Sequence, residues 1–183
     1  MADLTQTRMT ADEFFALPES NLPVELIDGE LVVSPTPKDS HQNVVLSGAV
    51  YIKQKAPGGQ IKIAPLDVYF DKTNITQPDI FWVSVDNSKC KLGDDGYWYG
   101  PPDLIIEVLS PGTQHKDRGS KFRLYQRFGV REYWLVDPIE QYVGGFVHQD
   151  NMFIQQGLYT VSDTFTSPAL NGQTIDVKAF FES

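Results

Sequence analysis

The sequence contains one cysteine, Cys90, only three histidines, and no uninterrupted apolar run long enough to span a membrane. A single cysteine excludes an internal disulfide, and three widely separated histidines do not have the spacing of a zinc site. Basic residues are also fewer than acidic ones, 15 against 24, which gives a formal net charge of −9. This charge argues against a broad basic surface for nonspecific nucleic-acid binding. The N-terminal stretch lacks a basic region followed by an apolar segment, so we expect no secretory signal and a cytoplasmic location.

The apolar content is high enough for a folded domain. The 183 residues are 41% hydrophobic and 12% aromatic, which excludes a disordered chain and predicts one domain over residues 1–183. Apolar spacing and turn residues predict a mixed α/β (α+β) fold with a β-rich C-terminal extension. The predicted elements are a capped helix at 10–17, a hairpin turning at Asp28-Gly29, a helix at 40–56, strand-like runs at 61–70, 78–85 and 102–110, a helix at 116–128 ended by Gly129, a strand at 131–138, and a β-rich tail.

Two ionisable residues occupy positions that otherwise predict core. Glu107 interrupts the most apolar short run of the chain, "LIIEVL". On a helical wheel of the 116–128 helix, Lys121 falls within the stripe of apolar residues that faces the core. Burial of an isolated charge is costly, so these two residues need a mutual ion pair, a metal ion or a solvent-filled cleft. A purely structural Glu107–Lys121 ion pair is one interpretation.

A third ionisable residue, the aspartate Asp79, favours a functional site. Asp79 follows Pro78 at the start of the preceding apolar strand, where an aspartate is also a common turn residue. Strands that are consecutive in sequence usually pair or lie close together, so Asp79 and Glu107 are expected at neighbouring places. Two carboxylates and a lysine in one cleft would bind Mg²⁺ and leave the amine to position or deprotonate a water molecule.

These residues resemble the PD-(D/E)XK nuclease superfamily, and more closely its restriction endonuclease branch, the Uma-two family. The segments that carry the resemblance are "VELIDGELVVSP", "SHQ", "QPDIFWV", "PPDLIIEVLSPGT" and "KDRGSKFRLYQRFGVREYWLVDP". The resemblance implies a restriction-endonuclease-like core with a central mixed sheet flanked by helices, and it makes Asp79 and Glu107 metal ligands. Leu109 stands where the superfamily usually has its lysine, and Lys121 is where this branch places it.

Several further residues are weaker candidates. His41 is the residue to which the branch pattern points, although a solvent-facing position at the helix start is an equally good interpretation. Glu25 would either reach the site from the hairpin or serve only in forming the hairpin turn. Supporting roles are predicted for Asp67, which would share the sheet surface, for Asp117, which neighbours Lys121 on the wheel, and for Tyr125, which would orient the lysine or only pack. Basic residues that would meet the DNA backbone are Lys116, Arg118 and Arg123.

Three functions remain in view. The first is a Mg²⁺-dependent endonuclease acting on DNA, with the metal held by Asp79, Glu107 and the Val108 carbonyl, and with Mn²⁺ able to substitute. The second is a catalytically inactive nucleic-acid-binding or assembly module. The third is a metal-free glycosidase with a carboxylate pair, which is disfavoured because a nearby lysine should depress the pKa of its general acid. A homodimer is expected, because cutting two strands usually needs two sites and the β-rich tail offers strand edges that need cover.

Overall fold

Two six-stranded sheets and a two-stranded one make up the β structure of the computed structural model, which describes residues 8–18 and 20–182. Residues 1–7 of the stretch inspected for a secretory signal lie outside the described residues. The helices are α1 (Ala11–Phe15), α2 (Asp39–Lys55), α3 (Gln114–Asp117), α4 (Ser120–Phe128) and a 3-10 helix (Val177–Phe180). The strands are β1 (Val24–Ile27), β2 (Glu30–Val33), β3 (Gln60–Ile63), β4 (Val68–Asp71), β5 (Asn74–Thr76), β6 (Ile80–Val83), β7 (Lys91–Leu92), β8 (Trp98–Tyr99), β9 (Leu104–Val108), β10 (Glu132–Asp137), β11 (Tyr142–Gln149), β12 (Met152–Thr160), β13 (Thr164–Ser167) and β14 (Gln173–Asp176).

The central sheet has the order β12-β11-β10-β9-β6-β3 and is mixed, because β9 and β10 run parallel while its other neighbours are antiparallel. The outer sheet has the order β2-β1-β5-β4-β8-β7. This architecture confirms the predicted α+β class with a mixed central sheet. Of the described helices, none is long and apolar enough to cross a membrane.

Side chains that alternate along the central sheet form two core layers. Trp82, Ile106 and Trp134 pack with α2 and the C-terminal 3-10 helix on one face. Ile105 and Tyr133 pack with α4 and with residues of the outer sheet on the other face. Because successive strand residues point to opposite faces, every polar residue on these strands is directed to one layer or the other.

Local signals predicted several element boundaries correctly. Thr10 and Glu13 form a reciprocal capping box at the start of α1. Asp28 and Gly29 have positive φ angles of 50° and 79° in the β1–β2 turn, as a tight two-residue hairpin requires. Gly129 ends α4 in the left-handed conformation with a φ of 74°.

Two predicted elements are divided in the structure. The run at 61–70 contributes β3 to the central sheet and β4 to the outer sheet, because Pro65, which lies between them, has no N–H to continue a strand ladder. The helix expected at 116–128 breaks at Gly119 into α3 and α4. A Cβ at Gly119 would lie 2.7 Å from the His115 carbonyl oxygen, so this sharp change of direction needs glycine.

Candidate functional site

A cavity of about 290 Å³ opens where the end of β9 meets α2, α3, α4 and the first hairpin. Six of the residues predicted from the sequence line it, and they come from six separate elements or loops of the chain. They are Glu25, His41, Asp79, Glu107, Asp117 and Lys121. The cavity therefore brings together side chains that are up to 96 positions apart in the numbering.

Asp79 and Glu107 are adjacent because β6 and β9 are antiparallel neighbours, with Ile80 paired to Ile106. The backbone amide of Asp79 lies 3.3 Å from Glu107 Oε2 and donates to it. The Val108 amide donates to Asp79 Oδ2 at 2.8 Å, so Val108 lies directly beside the Asp79 carboxylate. The Glu107 side chain is almost fully buried at 2% exposure, and that of Asp79 is 18% exposed. Asp79 and Glu107 therefore lie next to each other, as their positions on consecutive strands predicted.

Lys121 lies at the centre of a cluster of buried carboxylates. Its Nζ is 2.9 Å from Glu25 Oε1, 3.0 Å from Glu107 Oε1 and 3.8 Å from Asp117 Oδ1. Lys121 is buried on α4 together with Leu124 and Tyr125, as the helical wheel predicted. Burial acts to lower the pKa of Lys121, but Glu107 and Glu25 outweigh it and hold that pKa well above its usual value. The side chain is therefore a fixed ammonium, which favours positioning over deprotonation of a water molecule.

Tyr125 provides a second donor to the same glutamate. Its hydroxyl donates to Glu107 Oε1 at 2.8 Å and lies 3.2 Å from Thr76 Oγ1. Glu107 Oε1 thus receives hydrogen bonds from both Lys121 and Tyr125. These contacts fix the orientation of the carboxyl group and direct Oε2 towards Asp79.

Negative charge is in excess within the cavity. Four carboxyl groups, those of Glu25, Asp79, Glu107 and Asp117, line the cavity with one lysine ammonium. All but Asp79 contact that ammonium directly. Burial raises the pKa of Glu107 well above its usual value, and it raises the pKa of Asp117 to about 6. Lys121 acts to lower the pKa of both acids, as expected, but the loss of hydration outweighs this attraction and the net shift is upward. A buried excess of negative charge favours either a bound proton or a cation.

His41 is buried at 7% exposure, so the solvent-facing interpretation of this residue is wrong. Its Nε2 lies 3.2 Å from Asp79 Oδ2, while its Nδ1 is buried and has no hydrogen-bond partner among the described residues. Burial acts to lower the pKa of His41, but the hydrogen bond and charge of Asp79 raise it above the usual value overall. His41 therefore carries a charge-assisted contact to the most exposed acid of the site.

Asp67 does not share a sheet surface with Asp79, because it precedes β4 of the outer sheet. It reaches the site indirectly, since Gln77 Nε2 donates to Asp67 Oδ1 at 2.8 Å and Gln77 lines the cavity. The Gln77 amide also donates to Glu25 Oε1 at 2.8 Å. Sequence reasoning missed Gln77, although its place directly before Pro78-Asp79 was the available signal.

The basic residues expected to meet DNA are partly engaged within the protein. Lys116 Nζ donates to the Val33 carbonyl oxygen at 2.8 Å. The Arg118 guanidinium contacts the Tyr142 hydroxyl. Arg123 is exposed on α4. Their predicted role in DNA binding stays a prediction.

The fit of the residues to Mg²⁺ follows from the donors present. Within residues 8–18 and 20–182, no group of three or more His, Cys, Asp or Glu side chains is arranged as a metal cage. Mg²⁺, however, is usually held by one or two carboxylates and retains several water ligands. Asp79 and Glu107 supply two hard oxygen ligands in a cavity with excess negative charge, so the donor set fits this ion.

Comparisons with known proteins identify the fold and the family of the chain. A structure of a protein from Anabaena variabilis, described as "a putative nuclease belonging to DUF820", matches with a TM-score of 0.74 and 22% identity, and the match covers 94% of this chain and 97% of that one. At this identity the likeness shows the shared fold. No curated protein matches the chain. The Uma2 family model, described as "Putative restriction endonuclease", matches residues 11–178. Because that match spans nearly the whole chain, the protein belongs to the Uma2 family.

Proposed function

We propose that this protein is a Mg²⁺-dependent endonuclease that hydrolyses phosphodiester bonds in DNA. The observation that carries the proposal is the convergence of Asp79 and Glu107 on one cavity, beside a buried ammonium and within an excess of negative charge. The description of the Uma2 family supports the same reaction class. A structural ion pair needs one carboxylate for one lysine, whereas Lys121 is contacted by three carboxylates. Such an excess of buried negative charge is costly without a further cation.

In this proposal, Asp79, Glu107 and the Val108 carbonyl would hold Mg²⁺, and Mn²⁺ would substitute for it. The ion would supply Lewis-acid activation of the scissile phosphate and lower the pKa of a water molecule. Lys121 and Tyr125 hold Glu107 Oε1 in place, which leaves Oε2 available as a ligand. The Lys121 ammonium also places a fixed positive charge where negative charge would develop on the phosphate.

A second candidate is a nucleic-acid-binding module without catalysis. It is favoured by the contacts of Lys121, whose ammonium is shared among Glu25, Glu107 and Asp117. A lysine engaged in this way has fewer donors left for a water molecule or a phosphate. The two candidates differ in whether metal binding is accompanied by cleavage.

The proposed active form is a homodimer. Support comes from β12, which within the described part of the chain pairs on one side only, with β11. Its nine residues carry no charged side chain, and Met152 and Leu158 are 57% and 58% exposed. A long uncharged edge strand usually needs a partner to cover it. Light scattering after size-exclusion chromatography measures the mass directly.

The central experiment compares wild type with Asp79→Asn. We expect wild type to bind Mn²⁺ by calorimetry and to cleave DNA in Mg²⁺ or Mn²⁺, and we expect the variant to lose both. The fold of the variant should survive, because removal of one carboxylate relieves repulsion among the acids. The matched control is Asp150→Asn, an exposed aspartate of the β11–β12 turn. Unchanged Mn²⁺ affinity in Asp79→Asn would exclude the metal assignment, and metal binding without cleavage by wild type would favour the inactive module.

A further inference from the structure

We infer that the proposed nuclease acts on single-stranded DNA, or on the single-stranded tail of a duplex, and not on an intact duplex. This inference rests on the proposed function and narrows its substrate class. Four features of the structure lead to it: a contact between two segments that line the cavity, the burial of Glu107 and Lys121, the apolar walls and the distribution of charge.

Two segments that border the cavity touch each other. Residues 33–37 follow the first hairpin, and residues 112–116 follow β9. Lys116 Nζ donates to the Val33 carbonyl oxygen at 2.8 Å. A Cβ added at Gly112 would lie 2.9 Å from Pro35 Cγ, so the segments are also in van der Waals contact. This contact, here called the bridge, joins two segments that line the cavity and closes the gap between them.

The Glu107–Lys121 pair is buried within the cavity, whereas the Asp79 side chain is 18% exposed. Glu107 is 2% exposed and Lys121 is 6% exposed. The volume of this cavity is about 290 Å³. A flexible single strand can turn one phosphate into such a space. A duplex carries its phosphates on a stiff backbone with grooves about 6 and 12 Å wide, and it would have to open the bridge to reach Glu107.

The walls of the cavity favour unpaired bases. They include four prolines and a valine, namely Pro23, Pro35, Pro37, Pro65 and Val45. Apolar side chains gain from contact with the flat, apolar faces of bases. These faces are stacked and hidden in a duplex but accessible in a single strand. Polar and acidic groups at the floor combined with apolar walls therefore match a nucleotide whose base is unpaired.

The charge distribution points in the same direction. The chain carries a net charge of −9, and the Lys116 and Arg118 side chains are engaged with Val33 and Tyr142. A duplex presents one negative charge per ~1.7 Å of axis, whereas a single strand presents about half that density. An acidic protein whose Lys116 and Arg118 side chains are already engaged repels the single strand less than the duplex.

The test uses oligonucleotides of one sequence as single strand, blunt duplex and duplex with a single-stranded tail. Cleavage is measured in Mg²⁺ and Mn²⁺, and binding is measured by fluorescence anisotropy in Ca²⁺. We expect wild type to cut and bind the single strand and the tail at least about tenfold better than the blunt duplex. Lys116→Met, which removes the hydrogen bond of the bridge, should lower this preference at least about threefold. Lys72→Met is the matched control, because Lys72 is an exposed lysine on the β4–β5 turn and should leave the preference unchanged.

The outcomes separate this inference from the proposed function. Equal or better cleavage of the blunt duplex by wild type would overturn the inference and leave the nuclease proposal standing. Absence of cleavage on every substrate, with single strands still bound tenfold better, would remove the proposed catalysis and support the inferred recognition. Binding to none of the three oligonucleotides would overturn both. If Lys116→Met does not fold, the preference of wild type in the anisotropy measurement decides the question.

Discussion

Replacement of Lys121 by methionine tests how the buried cluster is held together. Methionine keeps much of the apolar stem of lysine and removes its charge, so the change isolates the ammonium. The ammonium lies 2.9 Å from Glu25 and 3.0 Å from Glu107, and its loss leaves both carboxylates buried without a cation. Removal of one partner of a buried ion pair costs about 3–5 kcal/mol. In a chain of this length each 1 kcal/mol shifts the melting temperature by about 2–4 °C, so we expect a decrease of roughly 6–20 °C.

The decrease should depend on pH in a defined direction. Lys121 acts to lower the pKa of Glu107 and of Asp117, so the variant raises both further. A carboxyl group whose folded pKa exceeds its unfolded pKa makes the native state bind more protons, and stability then falls as pH rises between the two values. The difference between variant and wild type should therefore be small near pH 4 and large at neutral pH. At the alkaline end, the stabilising contribution of Lys121 in wild type is present from neutral pH up to the usual lysine pKa of 10.5. It is lost only as pH rises through the higher folded pKa.

The assay is thermal unfolding followed by circular dichroism at pH 4.5, 6 and 8 in buffer without divalent ions. Lys178→Met is the matched control, because Lys178 forms a surface ion pair with Glu182. The side chains of Lys178 and Glu182 are 62% and 60% exposed. Such an exposed pair contributes little to stability, because solvent screens it. A Lys121→Met variant that melts at the wild-type temperature at pH 8 would refute the view that the ammonium balances the buried acids. Addition of Glu107→Gln to Lys121→Met should recover part of the loss.

Two further predictions concern neighbours of this cluster. Tyr125→Phe removes the hydrogen bond to Glu107 Oε1 and should lower the free energy of unfolding by about 1–3 kcal/mol. It should also weaken Mn²⁺ binding in calorimetry. An unchanged Mn²⁺ affinity would argue that Tyr125 only packs. Asp117→Asn removes a carboxyl group whose pKa is raised from 3.8 to about 6 by burial. Wild type should lose stability as pH rises from 3.8 to about 6, at up to roughly 1.4 kcal/mol per pH unit. The variant should therefore become more stable relative to wild type between pH 4 and 6. Stability profiles that run parallel over this range would contradict the raised pKa of Asp117.

Local patterns in the sequence predicted the elements that depend on a few neighbouring residues. The Thr10–Glu13 capping box, the Asp28-Gly29 turn and the end of α4 at Gly129 each follow from the backbone preferences of adjacent residues. The inward direction of Lys121 was also predictable, because the helical period alone places it on the apolar side of α4.

Only the tertiary structure decided which groups surround Lys121. Glu25 belongs to the outer sheet and Glu107 to the central sheet, and their approach to one ammonium depends on how these layers pack. The engagement of Lys116 with Val33 depends on a contact between positions 83 residues apart. Such distances are set by the packing of layers and loops, which no local period encodes. The sequence by itself therefore determined the types of element and the inward charges, and the long-range packing determined the cluster and the cavity that contains it.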